Sequence, residues 1–98
     1  MTKLRVFEWD AEKAESNYRK HGIGFETASK VFDDPFAVES IDPLGADFGE
    51  ERFLITGRAG ELVLTVVYTE RGENIRIISA RRTTKSEHED YYRQNAKD

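Results

Sequence analysis

A chain of 98 residues without cysteine is one domain's length, and it excludes both a disulfide framework and a thiolate metal site. A net charge of −4 argues against a general polyanion binder, and no apolar run approaches the ~20 residues needed to cross a bilayer. The charge is uneven: residues 31–51 hold seven acids and no base, whereas 52–86 hold seven bases against three acids. The first stretch suits a basic partner, and the second could hold a phosphate locally. The opening MTKLRVFEWD has no apolar core and soon turns acidic, unlike a secretory signal. One domain over 1–98 and a cytoplasmic location are the expectations.

LRVFEWD reads as a short strand, with Leu4, Val6 and Glu8 on one face and Arg5, Phe7 and Trp9 on the other. Asp10 is a good N-cap for the helix AEKAESNYRKH, whose Ala11, Ala14, Tyr18 and His21 share a face. Gly22 stops that helix. FETASKVF reads as a second helix with Phe25, Ala28, Val31 and Phe32 as its apolar side, ended by Asp33-Asp34-Pro35. FAVESI (36–41) is a strand and DPLGADFGEE a loop. ERFLITGR (51–58) and LVLTVVYTE (62–70) are strands joined by Ala59-Gly60-Glu61. The second is the most apolar run and reads as a central strand. RGEN (71–74) forms a hairpin turn into IRIISARR. Thr84 and Glu87 have capping-box spacing, and KSEHEDYYRQ is a closing helix. The order β-α-α-β-β-β-β-α, with short turns between the last strands, predicts an α+β fold: a small antiparallel sheet with helices packed on one side.

Strand alternation puts Ile75, Ile77, Ser79 and Arg81 on one face and Arg76, Ile78, Ala80 and Arg82 on the other. Ile78 blurs that division. Two readings of the arginine pair compete: a clamp on a phosphate, and ion pairs with Glu87 or the acids of 31–51. Arg71 lies up to roughly 33 Å of extended chain from Arg81, too far to share one phosphate with it. Lys20 and His21 end a helix, where positive charge is favoured. The same pair could stabilise developing negative charge and move a proton near neutrality. His21 and His88 stand in different helices, which weakens the case for a metal site, and no Gly-rich phosphate loop or nucleophile motif is present.

FEWDAEKAESNYRKHGIGFETASKVFDDP, GEERFLITGR, VVYTERGENIRIISARR and TKSEHEDYY, in that order, resemble the BrnT toxins of bacterial type II toxin–antitoxin systems, over about residues 7–92. The resemblance implies a RelE-like fold and a metal-independent ribonuclease that needs no cofactor. It implies neutralisation by a BrnA antitoxin bearing a ribbon-helix-helix part, a dimeric toxin within that complex, and operator DNA bound only through the antitoxin. The matching positions are Trp9, Lys20, His21, Gly22, Arg52, Glu70, Arg71, Arg81 and Arg82. On this basis Arg81 and Lys20 would stabilise charge, and His21 or Glu70 would transfer the proton. Arg52, Arg71 and Arg82 would bind RNA, with Tyr91 stacking on a base or shuttling a proton. Trp9 would pack, and Gly22 would serve the backbone. Toxins of this shape are usually basic and this chain is acidic. Ribosome-assisted cutting, a sufficient local patch, or a catalytically inactive antitoxin-binding module that tunes autorepression are the alternatives this leaves.

Overall fold

The computed structural model describes residues 5–95, apart from the side chains of 46–48. Leu4, read as part of the first strand, lies outside these. The elements are β1 (Val6–Glu8), α1 (Ala11–His21), α2 (Phe25–Ser29) continued by a 3₁₀ turn (Lys30–Asp33), β2 (Val38–Asp42), a second 3₁₀ turn (Pro43–Phe48), β3 (Arg52–Ala59), β4 (Leu62–Arg71), β5 (Asn74–Arg82) and α3 (Lys85–Asn95). The α+β order is as expected.

Local chemistry sets the boundaries. The Asp10 side chain accepts from the Lys13 N–H at 3.1 Å and starts α1. Gly22, at φ 73°, ends it in the left-handed region that glycine enters without steric cost. Both later hairpins turn on two residues, Gly60-Glu61 and Gly72-Glu73, with positive φ on the glycine alone. That is the II′ pattern, whose twist suits a hairpin.

The strand order is β1-β5-β4-β3-β2. Strands β2 to β5 are antiparallel neighbours, but β1 runs parallel to β5, so the sheet is mixed rather than purely antiparallel. β4 is central, and its Leu64, Thr65 and Val66 are fully buried. One face carries the core: Ile55, Leu64, Val66, Tyr68, Ile75, Ile77 and Ala80 pack with Ile23, Phe25, Ala28 and Val31 from the α1–α2 region. An aromatic chain extends it, with Phe7 against Phe32 and Phe32 against Tyr68 at centroid distances of 5.2 and 5.0 Å. Burial, and then the bond its hydroxyl gives Glu39, push the Tyr68 phenol well above its ordinary pKa.

Three expectations change. Helices do not sit on one side only, because α3 packs through Glu87 against Thr65 on the opposite face. The inward side of α1 is Ala14, Asn17 and His21, while Tyr18 is 60% exposed. The faces of β5 also switch partway along. Val67 pairs with Ser79 but Tyr68 with Ile77, leaving Ile78 as the extra residue of a bulge. Beyond the bulge the parity reverses. Ala80 joins Ile75 and Ile77 in the core, Arg81 moves to the opposite face beside Thr65, and Arg82 follows Leu64.

Asn17 shows how a short first strand is tolerated. β1 covers only Asn74–Arg76, so the outer edge of β5 beyond it has no strand neighbour among the described residues. There the Asn17 amide nitrogen donates to the Ala80 carbonyl at 2.9 Å, and its oxygen accepts from the Ala80 N–H at 3.1 Å. The nitrogen also donates to the Ile23 carbonyl at 3.2 Å. One buried side chain thus replaces a strand.

Candidate active site

Directly paired strand residues share a face. The register therefore sets Arg52, Arg71, Arg76 and Arg81 on the face away from α1, around Leu54, Val67, Thr69 and Ser79. Each arginine meets a carboxylate. Arg76 lies 3.3 Å from Glu8, Arg52 Nε 3.5 Å from Glu50, and Arg71 3.9 Å from the same Glu50.

Arg81 is held most firmly. Its two terminal nitrogens donate to the two oxygens of Glu87 at 2.8 and 2.9 Å, and one also reaches the Arg82 carbonyl at 3.3 Å. Glu87 in turn closes the capping box, accepting from the Thr84 N–H at 2.8 Å while its own N–H donates to Thr84 Oγ1 at 3.2 Å. Thr65 Oγ1 donates to the same carboxylate at 3.0 Å. Since Thr65 has one hydroxyl proton, Thr56, 2.8 Å away, must be the donor in the Thr56–Thr65 bond. A hydroxyl chain across β3 and β4 fixes the carboxylate, and the carboxylate fixes the guanidinium.

The Arg81 hydrogen bonds, with help from Thr84 and Thr65, hold the Glu87 carboxyl down to about 2 against an ordinary value of 4.5, although partial burial opposes this. Arg81 is correspondingly raised, first by its bonds to Glu87. A depressed carboxylate stabilises the fold above its unfolded pKa and loses that contribution as pH falls through the folded one. The wild type is therefore expected to lose stability between about pH 4.5 and 2. After allowance for solvent screening, the share due to Glu87 is about 2 kcal/mol. Thermal melts across that range should show a flatter pH dependence in Glu87→Gln, and equal slopes would refute the assignment.

Arg81 still has capacity. Guanidinium carries five N–H donors; Glu87 takes two and the Arg82 carbonyl a third. Two remain, so the ion pair and the phosphate clamp are compatible.

The remaining sequence candidates divide by position. β1 and β5 run the same way, and α1 follows β1 and reaches Ala80 through Asn17. Lys20 and His21 follow Asn17 at the end of α1, whereas the Arg81 side chain is on the face away from that helix. Lys20 and Arg82 are exposed and His21 is half-buried. Glu70 and Arg71 stand at the other end of β4, paired with Ile75 and Asn74. Five strand residues, roughly 17 Å, separate Glu70 from Thr65 and its partner Arg81. Glu70 therefore cannot serve the same phosphate as Arg81. Arg52 belongs to that far end. Tyr91 is not a stacking surface: it is 3% exposed, and its hydroxyl donates to Asp34 at 2.6 Å. Its neighbour Tyr92 is the exposed ring and accepts from Arg58 at 2.9 Å.

Sequence reasoning passed over Arg76 and the role of Glu87 in fixing Arg81. The signal for Glu87 was present in the capping-box spacing, which sets it six residues beyond Arg81. Arg76 gave none, because alternation alone places it on the same face as Ala80. Among the described residues, no cluster of three or more acids and histidines is arranged to hold a metal ion, and no helix is long and apolar enough to cross a membrane.

Compared with models of known families, residues 9–87 match the one described as ribonuclease toxin, BrnT, of type II toxin-antitoxin system. A search of curated proteins returns no match to the chain.

Proposed function

Since the chain belongs to the BrnT family of ribonuclease toxins of type II toxin–antitoxin systems, we propose that it cleaves RNA without a metal ion, at the end of β5 where Arg81 is fixed by Glu87. Such a system pairs a toxin with an antitoxin. The partner proposed here is a ribbon-helix-helix antitoxin that carries the operator DNA contact, with the toxin dimeric in the complex.

The observation that carries the reading is the anchored guanidinium with donors to spare. Cleavage by 2′-hydroxyl attack builds negative charge on the phosphorane oxygens, and rigid donors aimed at that charge need no reorganisation. Arg81 supplies them, and exposed Lys20 and Arg82 flank the same sheet end. Of the two proton-transfer candidates, Glu70 is too distant, which leaves His21 on α1 as the one to test. Arg71 and Arg76 continue the arginine series along this face and would hold the RNA backbone, while the Arg52 side chain is largely buried beside Glu50. Of the acids of 31–51, exposed Asp33 and Glu51 would be open to the antitoxin, whereas Asp34 and Glu50 are engaged within the chain.

Induced expression in a bacterial host tests this. The wild type is expected to arrest growth with loss of RNA, and the purified protein to cut RNA in excess EDTA. Arg81→Ala, confirmed folded, should reduce cleavage by about 10²–10³. Normal growth and intact RNA with soluble, folded wild type would leave an inactive antitoxin-binding module that contributes to autorepression. Cleavage lost in EDTA would reject metal independence.

A further inference from the structure

Beside Arg81 and Glu87 the structure forms a cavity of about 270 Å³ between β2, β3 and α3, lined by Ser40, Leu54, Thr56, Glu87, Asp90 and Gln94 among others. Its size falls just below the usual range for drug-sized ligands and suits one planar ring system. Leu54 offers an apolar surface for a ring, and the rim is polar.

The hydrogen-bonding capacity of that rim is selective. Glu87 already accepts four hydrogen bonds, from Arg81, Thr65 and Thr84. Glu39, which also borders the cavity, accepts from the Tyr68 hydroxyl at 3.2 Å. Asp90 has only an exposed pair with Arg93 at 2.8 Å, and such pairs are readily exchanged for other partners. Gln94 stands four residues further along α3, so both side chains rise from one helix face. A carboxylate accepts two adjacent donors, and an amide can donate to a carbonyl.

The geometry points to a nucleobase pocket that prefers guanine, with Asp90 and Gln94 as the residues that read it. Guanine is the base with two adjacent Watson–Crick donors, N1–H and N2–H, next to an acceptor, O6. Asp90 would take the first two and Gln94 would donate to the third, with the ring lying over Leu54. Splayed single-stranded bases are recognised on that edge. The attached phosphate would then fall toward Arg81, which already touches the cavity through Glu87. This rests on the nuclease reading for its substrate class.

The test uses the whole chain and nucleoside 3′-monophosphates, followed by amide shifts in NMR. We expect 3′-GMP to shift the amides of Leu54, Asp90 and Gln94 at concentrations at least tenfold lower than 3′-AMP, 3′-CMP or 3′-UMP. Inorganic phosphate should leave these three unmoved. Asp90→Asn should abolish the preference while leaving the melting temperature unchanged, and Leu54→Trp should fill the cavity and block all four nucleotides. Equal response to the four, shifts confined to another surface, or an undiminished preference in Asp90→Asn would overturn the pocket. Guanine-selective binding by a protein that cuts no RNA would support the pocket and sink the nuclease reading. Cleavage of RNA with no selective response here would do the reverse.

Discussion

Asn17→Leu is expected to destabilise the protein by at least about 3 kcal/mol. The substitution leaves the Ala80 N–H, the Ala80 carbonyl and the Ile23 carbonyl without their partner in a buried setting. An unsatisfied buried group costs about 1–3 kcal/mol, so three of them outweigh any gain from the apolar side chain. A domain of this length has a total stability on the order of 5–15 kcal/mol, so the loss is a large fraction of it. Urea unfolding should show a lower midpoint with an unchanged slope. Tyr18→Ala on the exposed side of the same helix should change stability by no more than about 0.5 kcal/mol. If the two variants unfold alike, Asn17 does not act as the missing strand.

Asp34→Ala should cost about 2–3 kcal/mol and loosen α3 in particular. Its carboxylate accepts from the Tyr91 hydroxyl at 2.6 Å and from the backbone N–H groups of Arg58 and Phe36, both at 2.8 Å. Partial burial would raise its pKa, but these three bonds outweigh that and lower it. Burial, and then the bond to Asp34, push the Tyr91 phenol up to about 12. Three elements meet at this one side chain: the turn after α2, strand β3 and the closing helix. Bonds to charged groups contribute about 1.5–3 kcal/mol each when buried, and water recovers part of that here. Hydrogen exchange should rise across α3 before the core opens. Tyr91→Phe should lose about half as much, and a double-mutant cycle with Asp34→Ala should show coupling. Fully additive effects would mean that the two groups stabilise separately.

Much of this architecture was legible in the sequence because its signals are local. Asp10, Gly22, Gly60, Gly72 and the Thr84–Glu87 spacing each act within a few residues, and each marks a boundary found in the fold. What alternation could not show was the bulge at Ile78, since a single extra residue depends on how β4 and β5 align. That one shift exchanged the faces of Arg81 and Arg82. Helical spacing sets Tyr18 on one face with Ala11, Ala14 and His21, whereas the inward place belongs to Asn17, a polar residue with backbone groups to satisfy. The parallel pairing of β1 with β5 joins residues 68 positions apart, and nothing nearby in the chain announces it. Among the site residues, Glu87 was one of several acids the sequence offered to the arginine pair, and the bidentate bond selects it for Arg81. The separation of Glu70 from Arg81 required the strand register.

The outer edge of β2 has one further consequence. As the last strand of the sheet it presents backbone groups with no strand neighbour among the described residues, beside exposed Phe36, Ile41 and Leu44. Such an edge invites a second copy to pair with it and start a fibre. The strand sits inside the stretch with seven acids and no base, so two copies approaching edge to edge repel one another. The acidity that weakens attraction for RNA therefore also protects the free protein against self-assembly. An uncharged edge would meet no such barrier.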